Sequence, residues 1–137
     1  MDSFGTVGAA GSNPVPEHLR GLFNDADKVR VQKLPCELPE KGSMAVFFGA
    51  GARTVPHTHH QGQHLFITEG VGVIGDESGV RVVRAGDVVS SPAGGWHWHG
   101  GAPGHAMTHV TVEKPGDFDL NVDRRDWDDT YGPELGA

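Results

Sequence analysis

The sequence predicts an all-β domain, a sandwich or small barrel of about eight short strands. Three observations carry this. Short runs rich in Val, Ile and Phe recur along the chain. The 21 glycines and 9 prolines fall between those runs with no repeat period, as tight turns require. Nothing alternates strand with long amphipathic helix, so a parallel sheet with crossover helices is excluded.

Taken in order, residues 1–15 read as a flexible lead. Residues 16–27 read as a short helix, with Pro16 at its first position and Leu19, Leu22 and Phe23 at helical spacing. Strands are expected over 29–34 and 43–48, and Gly49 and Gly51 then turn the chain. A strand over 63–68 ends near Gly70. Strands 71–74 and 80–83 flank Gly75-Asp76-Glu77-Ser78-Gly79, a hairpin signal. Strands over 87–90, 96–99 and 106–113 complete the series, with Asp87 read as turn chemistry after Gly86. Phe47, Phe48, Leu65 and Ile67 are assigned to the core, and Trp96 and Trp98 to packing. Residues 117–137 are acidic and read as a loose tail or short helix anchored by Trp127 and Tyr131. The expected division is a lead and helix over 1–27, a barrel over 28–116 and a tail over 117–137.

Composition narrows the function. The chain has 137 residues and a net charge of -7, which argues against a nucleic-acid backbone as partner. No basic run suggests a membrane patch, and no stretch approaches the roughly 20 apolar residues of a membrane span. A lone cysteine, Cys36, forms no internal disulfide. With no basic-then-apolar leader at the start, a soluble cytoplasmic protein acting on a small molecule is expected.

The chemistry sits in two histidine-rich stretches. The first is Gly51-Ala52-Arg53-Thr54-Val55-Pro56-His57-Thr58-His59-His60-Gln61-Gly62-Gln63. In an extended chain, residues two apart share a face roughly 6.5–7 Å apart, so His57 and His59 can lean toward one ion. Gln63 has the same parity, and a turn at Gly62 can return it as an oxygen donor. The second stretch runs from Gly86 through Pro92-Ala93-Gly94-Gly95-Trp96-His97-Trp98-His99. His97 and His99 again share a face. A closed barrel can bring such half-sites together across its mouth. His109 has the parity of Met107 and Thr111. A histidine beside an ion but not bound to it suits a general base near neutral pH. His64 should face away from Gln63 as a surface or packing residue, and His60 is read as a mouth residue, with an extra ligand as the alternative.

Both stretches resemble the two motifs of the cupin superfamily. Gly51, His57, His59, Gln63 and Gly70 match the first, and Gly86, Pro92, Gly94 and His97 match the second. The resemblance spans residues 44–113 and implies a single-domain antiparallel jelly-roll barrel. It also implies one divalent ion (Mn, Zn or Fe, with Ni or Co as alternatives) on His57, His59, Gln63 and His97. A narrower resemblance, carried by Gly51-Ala52-Arg53-Thr54, Gly62-Gln63, Gly86-Asp87-Val88-Val89, His97-Trp98-His99-Gly100 and Ala106-Met107-Thr108-His109, is to small bacterial monocupins. These include manganese-dependent hydroxynitrile lyases and cupin-type polyketide cyclases. It implies that Thr54, His99 and His109 line the pocket as catalytic residues, and that the chain forms a homodimer or a larger even oligomer, with 29–34 as the candidate exchanged strand.

That group usually carries Trp where this chain has Pro56, and a proline-led apolar pair where it has His60-Gln61. Both departures are expected at the mouth, with Pro56 leaving it roomier. The expected function is lyase-type Lewis-acid chemistry with a histidine base. The alternatives are aldol-type cyclisation, a cupin dioxygenase, or non-enzymatic small-molecule binding. Three imidazoles and an amide are all neutral ligands, which leaves the +2 charge of such an ion uncompensated.

Overall fold

The computed structural model describes residues 3–137. Eight strands follow in chain order: β1 (Asn13–Pro14), β2 (Val29–Leu34), β3 (Gly42–Phe48), β4 (Gln63–Asp76), β5 (Gly79–Arg84), β6 (Val88–Ser91), β7 (His97–Gly101) and β8 (Met107–Glu113). Every pairing is antiparallel. The strands run in the order β1-β2-β3-β8-β4-β5, and β6 and β7 both pair with β4.

Long β4 is the hub. Its first part pairs with β6 and β8, and its last part pairs with β5 and β7. The sequence predicts two strands here, 63–68 and 71–74, separated at Gly70. The structure has one bent strand of 14 residues instead. Its register against β8 shifts between Ile67 and Glu69. Gly70 follows at φ 81, and a Cβ there would run into the carbonyl of Ala106. The glycine therefore bends the strand past its neighbour without breaking it. The predicted hairpin forms as a two-residue loop, Glu77 and Ser78, between the paired Asp76 and Gly79. Asp87 caps its turn by accepting the Arg84 amide at 2.8 Å.

The predicted helix over 16–27 is not α-helical. It becomes two 3-10 turns, Glu17–Leu22 and Ala26–Lys28, and Pro16 lies before the first with extended backbone. Tertiary bonds explain the difference. Leu22 O accepts the Val55 amide at 2.8 Å and Asn24 N donates to Arg53 O at 3.0 Å. Phe23 makes a bridge to Thr54. These bonds pull the chain extended where a helix would continue.

The two-residue period of the strands makes two apolar clusters. Inside the barrel, Val29, Val31, Val46, Phe48, Leu65, Ile67, Ile74 and Met107 pack together. Phe47, assigned to the core by sequence, is only half-buried because it points away from the face shared by Val46 and Phe48. Behind β7, Val55, Val73, Trp96, Trp98, Ala102 and Trp127 form the second cluster. Residues 124–137 form turns and a 3-10 helix (Pro133–Gly136) rather than a loose end. Their anchor is buried Arg53. Its guanidinium lies 3.9 Å from the Tyr131 ring centroid and 4.2 Å from that of Trp127, and it pairs with Asp128 at 2.7 Å. Tyr131 Oη donates to Gly101 O at 2.6 Å. Among the described residues, no helix is long and apolar enough to cross a membrane.

Trp127 is 6 % exposed. Trp127→Ala should cost about 3 kcal/mol in denaturant unfolding, the usual cost of a large core truncation. A loss under about 1 kcal/mol would mean that this segment does not hold the back of β7.

Candidate metal centre

The extended segment 53–58 between β3 and β4 lies against β7. His57 and His97 exchange backbone hydrogen bonds, His57 N to His97 O at 3.0 Å and His97 N to His57 O at 3.1 Å. Thr54 N donates to His99 O at 2.8 Å, and Thr54 Oγ1 accepts the His99 amide at 3.0 Å. The two histidine stretches thus sit side by side. Beyond them the chain turns at Gly62, φ 84, and Gln63 enters β4 buried.

The result is a cluster of three buried imidazoles, His57, His59 and His97, whose ligand atoms lie within 4.8 Å of one another. Each has its Nδ1 engaged from behind. His57 Nδ1 donates to Val55 O at 2.7 Å, and His59 Nδ1 donates to Asp117 O at 2.6 Å. His97 Nδ1 pairs with Ser91 Oγ at 2.8 Å. The two carbonyl contacts fix the tautomers of His57 and His59 with Nε2 left for a metal, and the Ser91 hydroxyl, as acceptor, can do the same for His97. His59 Nε2, His97 Nε2 and Gln63 Oε1 are buried with no hydrogen-bond partner. Buried polar atoms without partners are rare, and an ion accounts for all three at once. The residues present therefore fit a divalent transition metal, and these three histidines can hold one.

Beside them lies a second pair. His109 Nε2 and His99 Nδ1 are 2.9 Å apart, and their outward nitrogens, His99 Nε2 and His109 Nδ1, are buried and unpartnered. His57, His59, Gln63, His99, His109 and Thr54 all line one cavity of about 1300 Å³. Phe23, Phe48, Val31 and Val46 form its apolar walls. His97, 1 % exposed, is not part of that cavity wall, and its ring centroid lies 4.5 Å from that of His57.

Three expectations change. Pro56 is not at the mouth: it is fully buried and absent from the cavity wall. The His60-Gln61 pair stays outside the cavity, with both backbone amides donating to the Asp117 carboxylate at 2.8 Å. The charge of the site is not left uncompensated either. Glu113, at the end of β8, lies 3.1 Å from His59 Nδ1 and accepts from Gln63 Nε2 at 2.9 Å. Sequence reading passed over Glu113, although it shares the two-residue parity of His109 and Thr111. Asp117 and Ser91 were also passed over; only folding brings Asp117 behind His59. His64 is exposed and stacks on Phe66, facing away from Gln63.

Electrostatics follow burial. Burial pushes His57 and His109 down to about 4. His97 and His99 are pushed well below the ordinary imidazole value, first by burial and then by neighbouring imidazoles. Burial also presses on His59, but the Glu113 carboxylate and Asp117 together more than offset it and hold the pKa above its usual value. Glu113 is held below the usual carboxylate value, because His59 and Gln63 outweigh its own burial.

Comparisons with known proteins agree with this geometry. No family model matches the chain. A cupin-like protein from Thermotoga maritima is 32% identical with a TM-score of 0.61, covering 66% of this chain and 74% of that one. A polyketide cyclase from Streptomyces resistomycificus shares the fold at 18% identity and a TM-score of 0.58, covering 80% of this chain and 82% of that one. A curated protein named (R)-mandelonitrile lyase, from Granulicella tundricola, is 46% identical over 71 residues. The match covers 51% of this chain and about half of the relative, 54%. Jelly-roll topology, the three-histidine cluster and the Thermotoga relative together place the chain in the cupin superfamily, among the small bacterial cupins.

The buried histidines also set a pH dependence. Unfolded, His57 and His109 take up protons near 6.5, but folded only near 4. The unfolded chain therefore binds more protons between these values. In metal-free protein the contribution of these two histidines should be complete above about pH 6.5 and fall by roughly 3 kcal/mol per histidine as pH drops toward 4, while the raised pKa of His59 works in the opposite direction. Denaturant unfolding of chelator-treated protein at several pH values measures this. A flat profile between pH 7 and 5 would contradict the assigned burial.

Proposed function

We propose that this cupin is a metal-dependent enzyme of lyase type, cleaving or forming cyanohydrins of apolar aldehydes. The observation that carries the reading is the His99–His109 pair, hydrogen bonded, buried, and lining one cavity together with His57, His59 and Gln63 of the candidate metal centre. The relative named as a mandelonitrile lyase supports the reaction class. A divalent ion held by His57, His59, His97 and Gln63 supplies Lewis acidity toward a substrate oxygen.

The chain's own groups do the rest. His99 Nε2 has no partner and takes the hydroxyl proton of the cyanohydrin. As the C–C bond breaks, giving an aldehyde, that proton passes to the departing cyanide. Burial and its imidazole neighbours keep His99 neutral, so its base form is present at neutral pH. His109 acts through His99. By accepting from His99 Nδ1 it leaves the lone pair on Nε2 and holds the ring in place. Thr54 Oγ1 holds the His99 backbone. Phe23, Phe48, Val31 and Val46 exclude water and receive the apolar part of the substrate. The cavity is larger than the roughly 300–1,000 Å³ usual for small ligands, which favours aldol closure of a poly-β-ketone as the second reading.

Purified protein should carry about one transition-metal ion per chain, and replacing His57 and His59 together with Ala should remove it while the β-sheet circular dichroism survives. Full metal content in that variant would contradict the ligand assignment. His99→Ala should keep the ion but lose at least about a hundredfold in turnover on cyanohydrins or poly-β-ketones. Unchanged turnover in the metal-replete variant would remove His99 as the base.

A further inference from the structure

We propose that Glu113 is a positioning residue of the metal centre: its carboxylate orients both His59 and Gln63 and supplies the negative charge that their neutral donor set lacks. The proposal rests on the metal reading above. Each Glu113 oxygen has a separate partner, Oε2 at 3.1 Å from His59 Nδ1 and Oε1 at 2.9 Å from Gln63 Nε2. A deprotonated carboxylate only accepts hydrogen bonds, so it dictates what faces it.

Toward Gln63 that constraint decides which end of the amide looks inward. The NH2 group must face Glu113, which leaves Oε1 buried and without a partner, turned to the other side. An amide flipped the other way would set its oxygen against a carboxylate and offer N–H groups to a cation. Toward His59 the same carboxylate joins Asp117 O behind Nδ1. Nε2 is then the free nitrogen, and it too is buried and unpartnered. Two donors from two elements, the 53–58 segment's continuation and β4, are thus aimed by one residue at the end of β8. The Glu113 side chain is 21% exposed, so its charge acts in a partly desolvated setting where it counts for more than in water.

The test uses the full-length protein and reads metal binding, not activity. Zn²⁺ affinity is measured by competition with a chromophoric chelator, and Co²⁺ is used for its absorption spectrum. Glu113→Gln keeps shape but loses the charge and sets an NH2 group against one of the two donors. It should weaken Zn²⁺ binding about 10–100-fold and alter the Co²⁺ bands, with the unfolding midpoint of the metal-free protein little changed. The double variant Gln63→Glu with Glu113→Gln moves the charge to the other side of the same hydrogen bond. It should recover affinity to at least the level of the unsubstituted protein.

If Glu113→Gln binds Zn²⁺ as tightly as the unsubstituted protein, the proposal fails while the metal reading stands. A weakened affinity that falls together with metal-free stability, and that the double variant does not rescue, marks a merely structural residue and also overturns it. If the unsubstituted protein binds neither ion, the metal reading and the proposal fall together.

Discussion

His57 and His97 exchange both backbone hydrogen bonds, at 3.0 and 3.1 Å, and this antiparallel bridge, with the Thr54–His99 bonds beside it, holds the two halves of the site together. The segment 53–58 belongs to no continuous strand; among the described residues it makes only isolated bridges, to Phe23, Gly100, His97 and Asp119. Its position is therefore set by a few bonds rather than by a ladder. Thr54 adds one through its side chain, where Oγ1 stands in for a ladder acceptor to His99 N. Remove that pairing and the imidazoles of the first stretch lose their register against those of the second.

The same period of two that lines up His57 with His59, and His97 with His99, sends the intervening Trp98 to the opposite face. One face of β7 then carries unpartnered imidazole nitrogens into the interior. The other is closed by Trp127, Tyr131 and the Arg53 guanidinium. Holding four neutral imidazoles in the interior costs stability as pH falls, because burial disfavours their charged forms. The apolar clusters on both sides of β7 offset that cost. Function and stability oppose each other on one strand, and its two faces divide the work.

Much of this was legible in the residues. Alternation with glycine punctuation indicates an all-β chain, and two spaced histidine motifs indicate which side chains converge. What the sequence concealed has physical causes. Gly70 looks like a strand end because a bend and a break use the same residue; only its close approach to Ala106 distinguishes them. Residues 17–22 carry helical spacing, but the bonds of Leu22 and Asn24 to the 53–58 segment are tertiary and leave no local mark. Pro56 is buried because its neighbours bridge to β7, which no residue type announces. Glu113 lies fifty residues from Gln63 along the chain, and nothing near either one signals their contact. Its parity with His109 was the available hint.

The ligand set bears on the chemistry. Three imidazoles and an amide oxygen carry no charge themselves, and the carboxylate of Glu113 sits behind two of them. An ion held there would stay electrophilic while its charge is partly compensated, which is the balance that the proposed polarisation of a substrate oxygen requires. The central claim is that His57, His59, His97 and Gln63 converge on one ion. X-ray absorption on protein loaded with one equivalent of Zn²⁺ tests it most directly. The account predicts imidazole scattering from three histidines and light-atom ligands only, at about 2.0–2.2 Å. Scattering from fewer than two imidazoles, or a sulfur ligand from Cys36, would contradict it.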